Sequence, residues 1–223
     1  SDVSFDENES GSTSLSGADL DGDDLTFSIT GGSDITASLI GSDITFNAPA
    51  NYNGSESFTA TVSDGEYSDA QSITVTVNAI NDAPVATTGL TGLTNEDQSV
   101  VVTLSGSDID GDNLTFSLAA DATNGSVSIV GSIATYAPIS NYNGDDSFTF
   151  TVSDGELADT ASVTLTITPV NDAPVLIAVS DLSFDEDTSE SISVSGSDID
   201  GDDLSYSITE GTDIIASLDG TDI

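Results

Sequence analysis

Apolar residues in this chain fall on alternate positions in short runs, separated by clusters of Gly, Asn and Asp. Leu25, Phe27 and Ile29 share one face, as do Phe58, Ala60 and Val62, and then Ile73, Val75 and Val77. The pattern returns with Leu114 and Phe116, with Phe148, Phe150 and Val152, and with Val163, Leu165 and Ile167. Thr and Ser fill most positions between, which suits strands with one buried and one wet face. Helical periodicity is absent. Turn clusters recur at a spacing of roughly 8–12 residues, which predicts an all-β fold of tandem Greek-key β-sandwiches with about seven strands each.

The runs belong to a repeat. "NYNG" stands at 51–54 and 141–144, "TVSDGE" at 61–66 and 151–156, and "NDAPV" at 81–85 and 171–175. The sequence therefore divides into 1–82, 83–172 and a shortened third copy, 173–223. The junction "NAINDAPVA" at 78–86 is brief and carries Pro84, so it reads as a stiff joint rather than a flexible tether. Ile223 aligns with Ile44, and the third copy lacks counterparts of Thr45 to Asp82. It keeps the apolar positions of early strands around Leu182, Phe184, Ile192, Val194, Leu204 and Ile208. Without an opposing sheet it is not expected to be stable alone. Copies one and three are the more alike ("SITGGSDITASLIGSDI" at 28–44, "SITEGTDIIASLDGTDI" at 207–223), so the chain reads as an internal piece of a longer alternating array.

Charge narrows the chemistry further. The chain has 40 acidic residues and no Lys, Arg, His or Cys, for a net charge of −40. That composition excludes zinc sites, thiol nucleophiles, Ser-His-Asp triads and P-loops. Nucleic-acid binding through phosphate neutralisation is excluded as well, and anionic membrane surfaces repel such a chain. No apolar stretch approaches the roughly 18 residues of a membrane span, and neither signal peptide nor initiator Met is present. Yet the acids are gathered. "SDIDGDNLTF" at 107–116 sets Asp108, Asp110 and Asp112 on alternate residues, and 17–27 and 196–206 repeat it. Two carboxylates about 4 Å apart repel by roughly 4 kcal/mol at an effective dielectric near 20. With no internal cation to neutralise them, a hard divalent ion from solution is the natural partner.

The spacing is not that of an EF-hand, because Gly111 comes too early and position twelve from Asp108 is Ala119. A single "GGSD" at 31–34 does not make a tandem nonapeptide roll. Ligands must instead converge from separate segments. Candidates are the "EN" or "ED" pairs at Glu7, Glu96 and Glu186, the "SDG" aspartates Asp64 and Asp154, and the "ND" aspartates Asp82 and Asp172.

Together the motifs "EN/ED … DxDGDxLTFSI … NYNG … FTATVSDG … ITVTV … NDAPV" resemble bacterial cadherin-like repeats, also called VCBS-type repeats, of giant surface adhesins. The resemblance covers essentially the whole chain. It implies seven-strand sandwiches with Ca2+ bound at the junctions between neighbouring repeats. The first junction would use Glu7, Asn81, Asp82 and the backbone of Ile80 and Ala83, met by Asp108, Asp110, the carbonyl near Asn113, and Asp154. The second would use Glu96, Asn171 and Asp172 with Asp198 and Asp200, its counterpart of Asp154 falling in the missing part of copy three. Asp19, Asp21 and Asp64 are the matching metal candidates of copy one. Cadherins carry an acidic element where this chain has "NYNG", so Asn51 and Asn53 stand in for two carboxylates.

The implied function is a calcium-rigidified extender of a secreted or cell-surface adhesin, monomeric within its longer chain, holding a distal binding domain away from the cell for adhesion or biofilm formation. The alternative is a carbohydrate-binding module of a polysaccharide-degrading secreted protein. With no Trp and most Phe on buried faces, Tyr67 is its best exposed aromatic. An enzymatic role is not expected: only paired carboxylates are available for catalysis, and the same acids recur in every copy.

Overall fold

The computed structural model describes residues 2–209 and 211–221. Residues 222 and 223, where the third copy ends, lie outside the described residues. The first copy contributes β1 (Val3–Asp6), β2 (Ser10–Ser14), β3 (Thr26–Gly31), β4 (Thr36–Ile40), β5 (Asp43–Asn47), β6 (Gly54–Ser63) and β7 (Ser68–Asn78). Four strands pair in the order β1-β7-β6-β3 and three in the order β2-β5-β4. The two sheets exchange strands along the chain, which is the Greek-key crossing that the turn spacing implied. β1 runs parallel to β7, Val3 facing Val75 and Asp6 facing Asn78, so the first strand is held by the last.

After the short β8 (Val85–Ala86), the second copy repeats the plan with β9 (Leu90–Asn95), β10 (Val100–Thr103), β11 (Gly106–Ser107), β12 (Thr115–Ala120), β13 (Gly125–Val130), β14 (Ile133–Pro138), β15 (Gly144–Ser153) and β16 (Ala158–Thr168). Its sheets run β12-β15-β16-β9 and β10-β14-β13, with β9 again parallel to the last strand. The fold is thus an all-β sandwich used twice. Two compact units result. One comprises Ser1–Val85 with Gly106–Leu114 and Ser153–Asp159; the other comprises Ala86–Ser105, Thr115–Val152 and Thr160–Ile223.

Period-two burial follows the sequence pattern closely in the long strands. Phe58, Ala60, Ile73, Val75 and Val77 are buried in the first copy, and Phe148, Phe150, Val152, Val163, Leu165 and Ile167 in the second. Leu25, Phe27 and Ile29 are only half-buried, because β3 is the outer strand of its sheet. The sequence reading did not place Ile44, Phe46 or Tyr136 in the core, yet all three are fully buried on β5 and β14. Phe46 meets Phe58 edge to face at 5.0 Å between ring centres, a geometry that adds to area burial.

In the third copy the early strands expected around Leu182, Phe184, Leu204 and Ile208 are absent among the described residues. Only β17 (Val175–Leu176) and β18 (Gly196–Ser197) form, pairing Val175 with Ser197 and Leu176 with Gly196. In each complete copy the first strand pairs with the seventh, and residues 173–223 include no counterpart of that partner strand.

Candidate metal centre

The first compact unit contains every residue expected at the first junction. Glu7 follows β1 directly and is buried, only 3% exposed. Its backbone N–H donates to the Asn78 carbonyl at 3.0 Å, continuing the β1–β7 ladder by one residue. That pairing aims the side chain into the segment after β7, where Glu7 Oε1 accepts the Ile80 N–H at 2.6 Å. Two residues on, the Asp82 N–H donates to Asp110 Oδ2 at 2.8 Å, and Asn81 Nδ2 donates to Asp154 Oδ2 at 2.8 Å. The 78–82 segment is therefore pinned to three acidic side chains by its own N–H groups.

The aspartate loop is folded by its first member. Asp108 Oδ1 accepts the N–H groups of Asp110 at 2.9 Å and Asp112 at 3.4 Å, an Asx-type turn that needs Gly111 at φ 80°. One carboxylate oxygen from each of Asp108, Asp110 and Asp112 lies within 4.8 Å of the others. Asp154 is fixed in the same manner, Oδ1 accepting from Glu156 and Leu157 at 2.7 Å each. These N–H groups, led by the Asn81 amide, hold the Asp154 carboxyl below the usual carboxylate range.

Glu7 Oε2, Asp82 Oδ2 and Asp108 Oδ2 are buried and have no hydrogen-bond partner. Burial, then the charges of Asp110, Glu7 and Asp108, push the Asp82 carboxyl above its ordinary value. A cavity of about 620 Å³ opens beside them, lined by Asn51, Asp82, Ala83, Val85, Asp108 and Ile109. A buried carboxylate oxygen without a donor is costly, and a chain without Lys, Arg or His has no side-chain cation to supply. The donors are all oxygens from carboxylates and carbonyls, the set that suits calcium with its six to eight flexible ligands.

The second compact unit holds a related arrangement. Glu96 is 4% exposed and accepts the Val170 N–H, as Glu7 accepts that of Ile80. The Asp172 N–H donates to Asp200 Oδ2 at 2.6 Å, and Asp198 Oδ1 accepts from Asp200 at 2.9 Å. Burial, then Asp200, Asp97, Glu96 and Asp198, push the Asp172 carboxyl up. A cavity of about 590 Å³ is lined by Asn141, Asp172, Ala173, Val175, Asp198 and Ile199. One contact differs. Asn171 Nδ2 turns back to the Asp172 carbonyl at 2.8 Å where Asn81 reaches Asp154.

Three residues outside the expected ligand set join these clusters. Asp112 completes the trio with Asp108 and Asp110, and its place in the alternating aspartates was the available signal. Asn51 and Asn141, the first residues of each "NYNG", line the two cavities. Both take left-handed backbone, φ 56° and 58°. The Asn141 N–H donates to Asp97 Oδ1 at 3.1 Å. With its amide nitrogen turned inward, Asn141 also donates to Asp172 Oδ2 and Asp97 Oδ2, each at 3.2 Å. Asn113 is exposed and lines neither cavity. Asp19, Asp21 and Asp64 lie on the first copy, where Asp19 Oδ1 accepts from Asp21, Gly22 and Asp23 at 2.8 to 3.1 Å.

Comparison with known proteins gives the family. A curated relative is chitinase A of Pseudoalteromonas piscicida, 37% identical over 132 residues, which are 57% of this chain and 16% of that protein. The chain thus spans about a sixth of that relative's length. Among solved structures, an endo-fucoidan hydrolase of glycoside hydrolase family 107, MfFcnA4, is 24% identical over 76% of this chain and 28% of its own, with a TM-score of 0.34. The human protocadherin-24 EC1-2 structure is 18% identical over 72% of this chain and 88% of its own, with a TM-score of 0.46. Residues 1–78 and 81–168 each match the bacterial Ig domain family, and by these two copies the chain belongs to it.

Proposed function

We infer that the chain is a calcium-stiffened spacer of a secreted or surface-exposed bacterial protein, of the cadherin-like kind, and that it has no catalytic role of its own. The observation that carries this reading is the trio of buried, unpartnered oxygens, Glu7 Oε2, Asp82 Oδ2 and Asp108 Oδ2, in a chain without a basic residue. Glu7, Asp82, Asp108 and Asp110 would hold the ion, with Asp112 beside Asp108 and Asp110 and Asn51 lining the cavity. At the second site, the Asn141 amide reversed would turn its oxygen to Asp97 and Asp172, an orientation favoured only with a cation among them. The ion supplies charge neutralisation and coordinate bonds between the linker and the aspartate loop. The chain's own part is to preset the cavity through the Ile80, Asp82 and Asn81 hydrogen bonds.

Extracellular modules commonly bind calcium with Kd of about 10⁻⁴–10⁻³ M, so such sites fill outside a cell and empty inside it. Successive copies would then be flexible during export and stiff afterwards, projecting the distal binding domain of an adhesin. A second setting, the linker region of a polysaccharide-degrading protein, is supported by the similarity to a chitinase. Calorimetric titration with calcium tests the site. Asp110→Asn should weaken binding at least about tenfold, since a charged ligand of a hard ion is lost. Unchanged heats in that variant would remove the assignment. Small-angle scattering tests the mechanical role: the maximum dimension should fall and the profile broaden on chelation, and a profile indifferent to chelator defeats the stiffening.

A further inference from the structure

The first copy carries an apolar groove whose counterpart in copy two is covered. Leu15, Gly17, Phe27, Ala60 and Val62 line a cavity of about 250 Å³, and a neighbouring one of about 210 Å³ runs past Asp19, Asp64 and Tyr67. Among the described residues, no segment pairs with Leu15–Ala18 as a strand. Leu15 and Val62 are only half-buried, whereas the matching Leu104 and Val152 of copy two are 2% and 0% exposed.

Copies two and three show what such a place receives. In copy three, Val175 and Leu176 pair with Ser197 and Gly196, and the Ile177 N–H donates to the Ser195 carbonyl at 2.8 Å. In copy two the Thr87 N–H donates to the Ser105 carbonyl at 2.9 Å, and Ala86 is 3% exposed. Ser16, Gly17 and Ala18 are the counterparts of Ser105 to Ser107 and of Ser195 to Ser197. A Cβ at Gly17 would lie 3.1 Å from both Leu25 and Val62, and one at Gly196 would lie 3.2 Å from Leu204, the match of Leu25.

The grooves differ in one position. Copy two has Phe150, whose ring sits 6.2 Å from that of Phe116; copy one has Ala60, which pairs with Ile29 and lies diagonal to the matching Phe27, and both Phe27 and Ala60 line the cavity. The segment before copy two ends in Ala86, a small residue beside a filled groove. The segment before copy three, which resembles copy one, ends in Leu176. Copy two thus combines a small segment residue with a large groove residue; Leu176 is 62% exposed and residues 173–223 include no counterpart of Ala60, so the reverse combination is completed only where such a Leu meets copy one.

We propose that the groove of the first copy binds an extended peptide of the form Asn-Asp-Ala-Pro-Val-Leu by strand addition, with the Leu seated over Ala60. The peptide Val would pair with Ala18 and the Leu with Gly17, main-chain bonds giving the hold and the side-chain cavity the specificity. Asp21 matches Asp110 and Asp200, which accept the N–H of the linker aspartate, so it takes the same bond. Asp64 matches Asp154 and would receive the peptide Asn. The proposal goes beyond the spacer reading and does not require a metal in the chain's own two cavities.

The test is an NMR titration of the labelled full-length 223-residue chain with a peptide of residues 169–178, once in calcium and once in chelator. Amide shifts at Gly17, Ala18, Asp21 and Val62 in either buffer are expected. The peptide with Leu176→Ala should bind at least about tenfold more weakly, the scale of a buried leucine lost to alanine. Ala60→Phe in the chain, which copies the second repeat, should erase the difference between the two peptides. Shifts confined to residues outside 15–21 and 60–69, no shifts in either buffer, or equal affinity of both peptides for the unaltered chain would each overturn the proposal.

Discussion

At the scale of single residues, the two most informative carboxylates are pushed in opposite directions. Asp82 is raised by burial and by Asp110, Glu7 and Asp108. In metal-free protein its protonated form is the better tolerated, so this group's contribution to stability is present below the ordinary carboxylate pKa and is lost as pH rises through the raised value. Asp82→Asn should therefore raise the melting temperature in chelator and lower it in calcium. A variant that melts below the parent in both conditions would show that the charge is not repelled in the metal-free state. Glu56 runs the other way. It accepts N–H bonds from Ser33, Asp34 and Ile35 at 2.8 to 3.2 Å and a hydroxyl bond from Ser33 at 2.7 Å, which lower it from 4.5 to about 2. Its contribution is present above the ordinary pKa and lost as pH falls from there through about 2. Glu56→Ala should cost about 1–3 kcal/mol at neutral pH, the scale of hydrogen bonds to a charged group, and flatten that acid limb in pH-dependent denaturation. Sequence alone exposed Asp82 and the aspartate loops because their charge has no internal partner. It did not expose Glu56, because a lone acid in a strand looks like any solvated side chain until the loop that caps it is seen.

Pairs of strands carry the next level of information. Val3 on β1 and Gly11 on β2 match Gly92 on β9 and Val100 on β10. In copy one the valine comes from the first strand and the glycine from the second; in copy two the roles are exchanged. A Cβ on Gly11 would lie 2.8 Å from Val3 Cγ1 and collide with the Phe5 ring, whereas one on Gly92 would lie 2.8 Å from Leu165 and 3.4 Å from Val100 Cγ1. Each glycine makes room for the other strand's side chain across one layer of core. Gly11→Val should therefore destabilise the first copy by about 1–3 kcal/mol through overpacking. Adding Val3→Gly and Phe5→Thr, which reproduces the Gly92, Thr94 and Val100 arrangement, should recover most of that loss. Additive losses in the three-site series, measured by denaturant unfolding, would show that the strands do not compensate one another. Period-two alternation made the strands and their buried faces legible in the sequence. The exchange was not legible, because alternation is a property of one strand and this is a property of two.

For the whole molecule, the third copy is where topology outweighs local propensity. Leu182, Phe184 and Ile208 keep the apolar spacing of strands that form in copies one and two, yet they are 44%, 43% and 37% exposed and in no strand. In both complete copies the first strand is held parallel to the seventh, and residues 173–223, which run to the match of Ile44, include no counterpart of the sixth or seventh. Among the described residues its one ladder is the pair of β17 with β18, two residues a side, with bridge residues besides only at Ser193 and Asp219, far below what an isolated sheet needs. The β15–β16 hairpin, by contrast, is flanked by β12 and β9 and backed by buried Phe148, Phe150, Leu165 and Ile167. Native-state hydrogen exchange should accordingly show amides of β15 and β16 opening only with global unfolding, while those beyond about residue 178 exchange at nearly the free-chain rate. The exceptions are the β18 residues, where the Gly196 N–H donates to the Tyr206 hydroxyl at 2.9 Å, and Val194, whose N–H donates to the Thr221 carbonyl at 2.8 Å and whose side chain is 7% exposed; these should be slowed, but only by local structure. Native mass spectrometry on the same sample fixes the oligomeric state. Protection beyond residue 178 equal to that of β15 in a monomer would mean that half a sandwich holds itself together, and the account of the third copy given by its missing strands would be wrong.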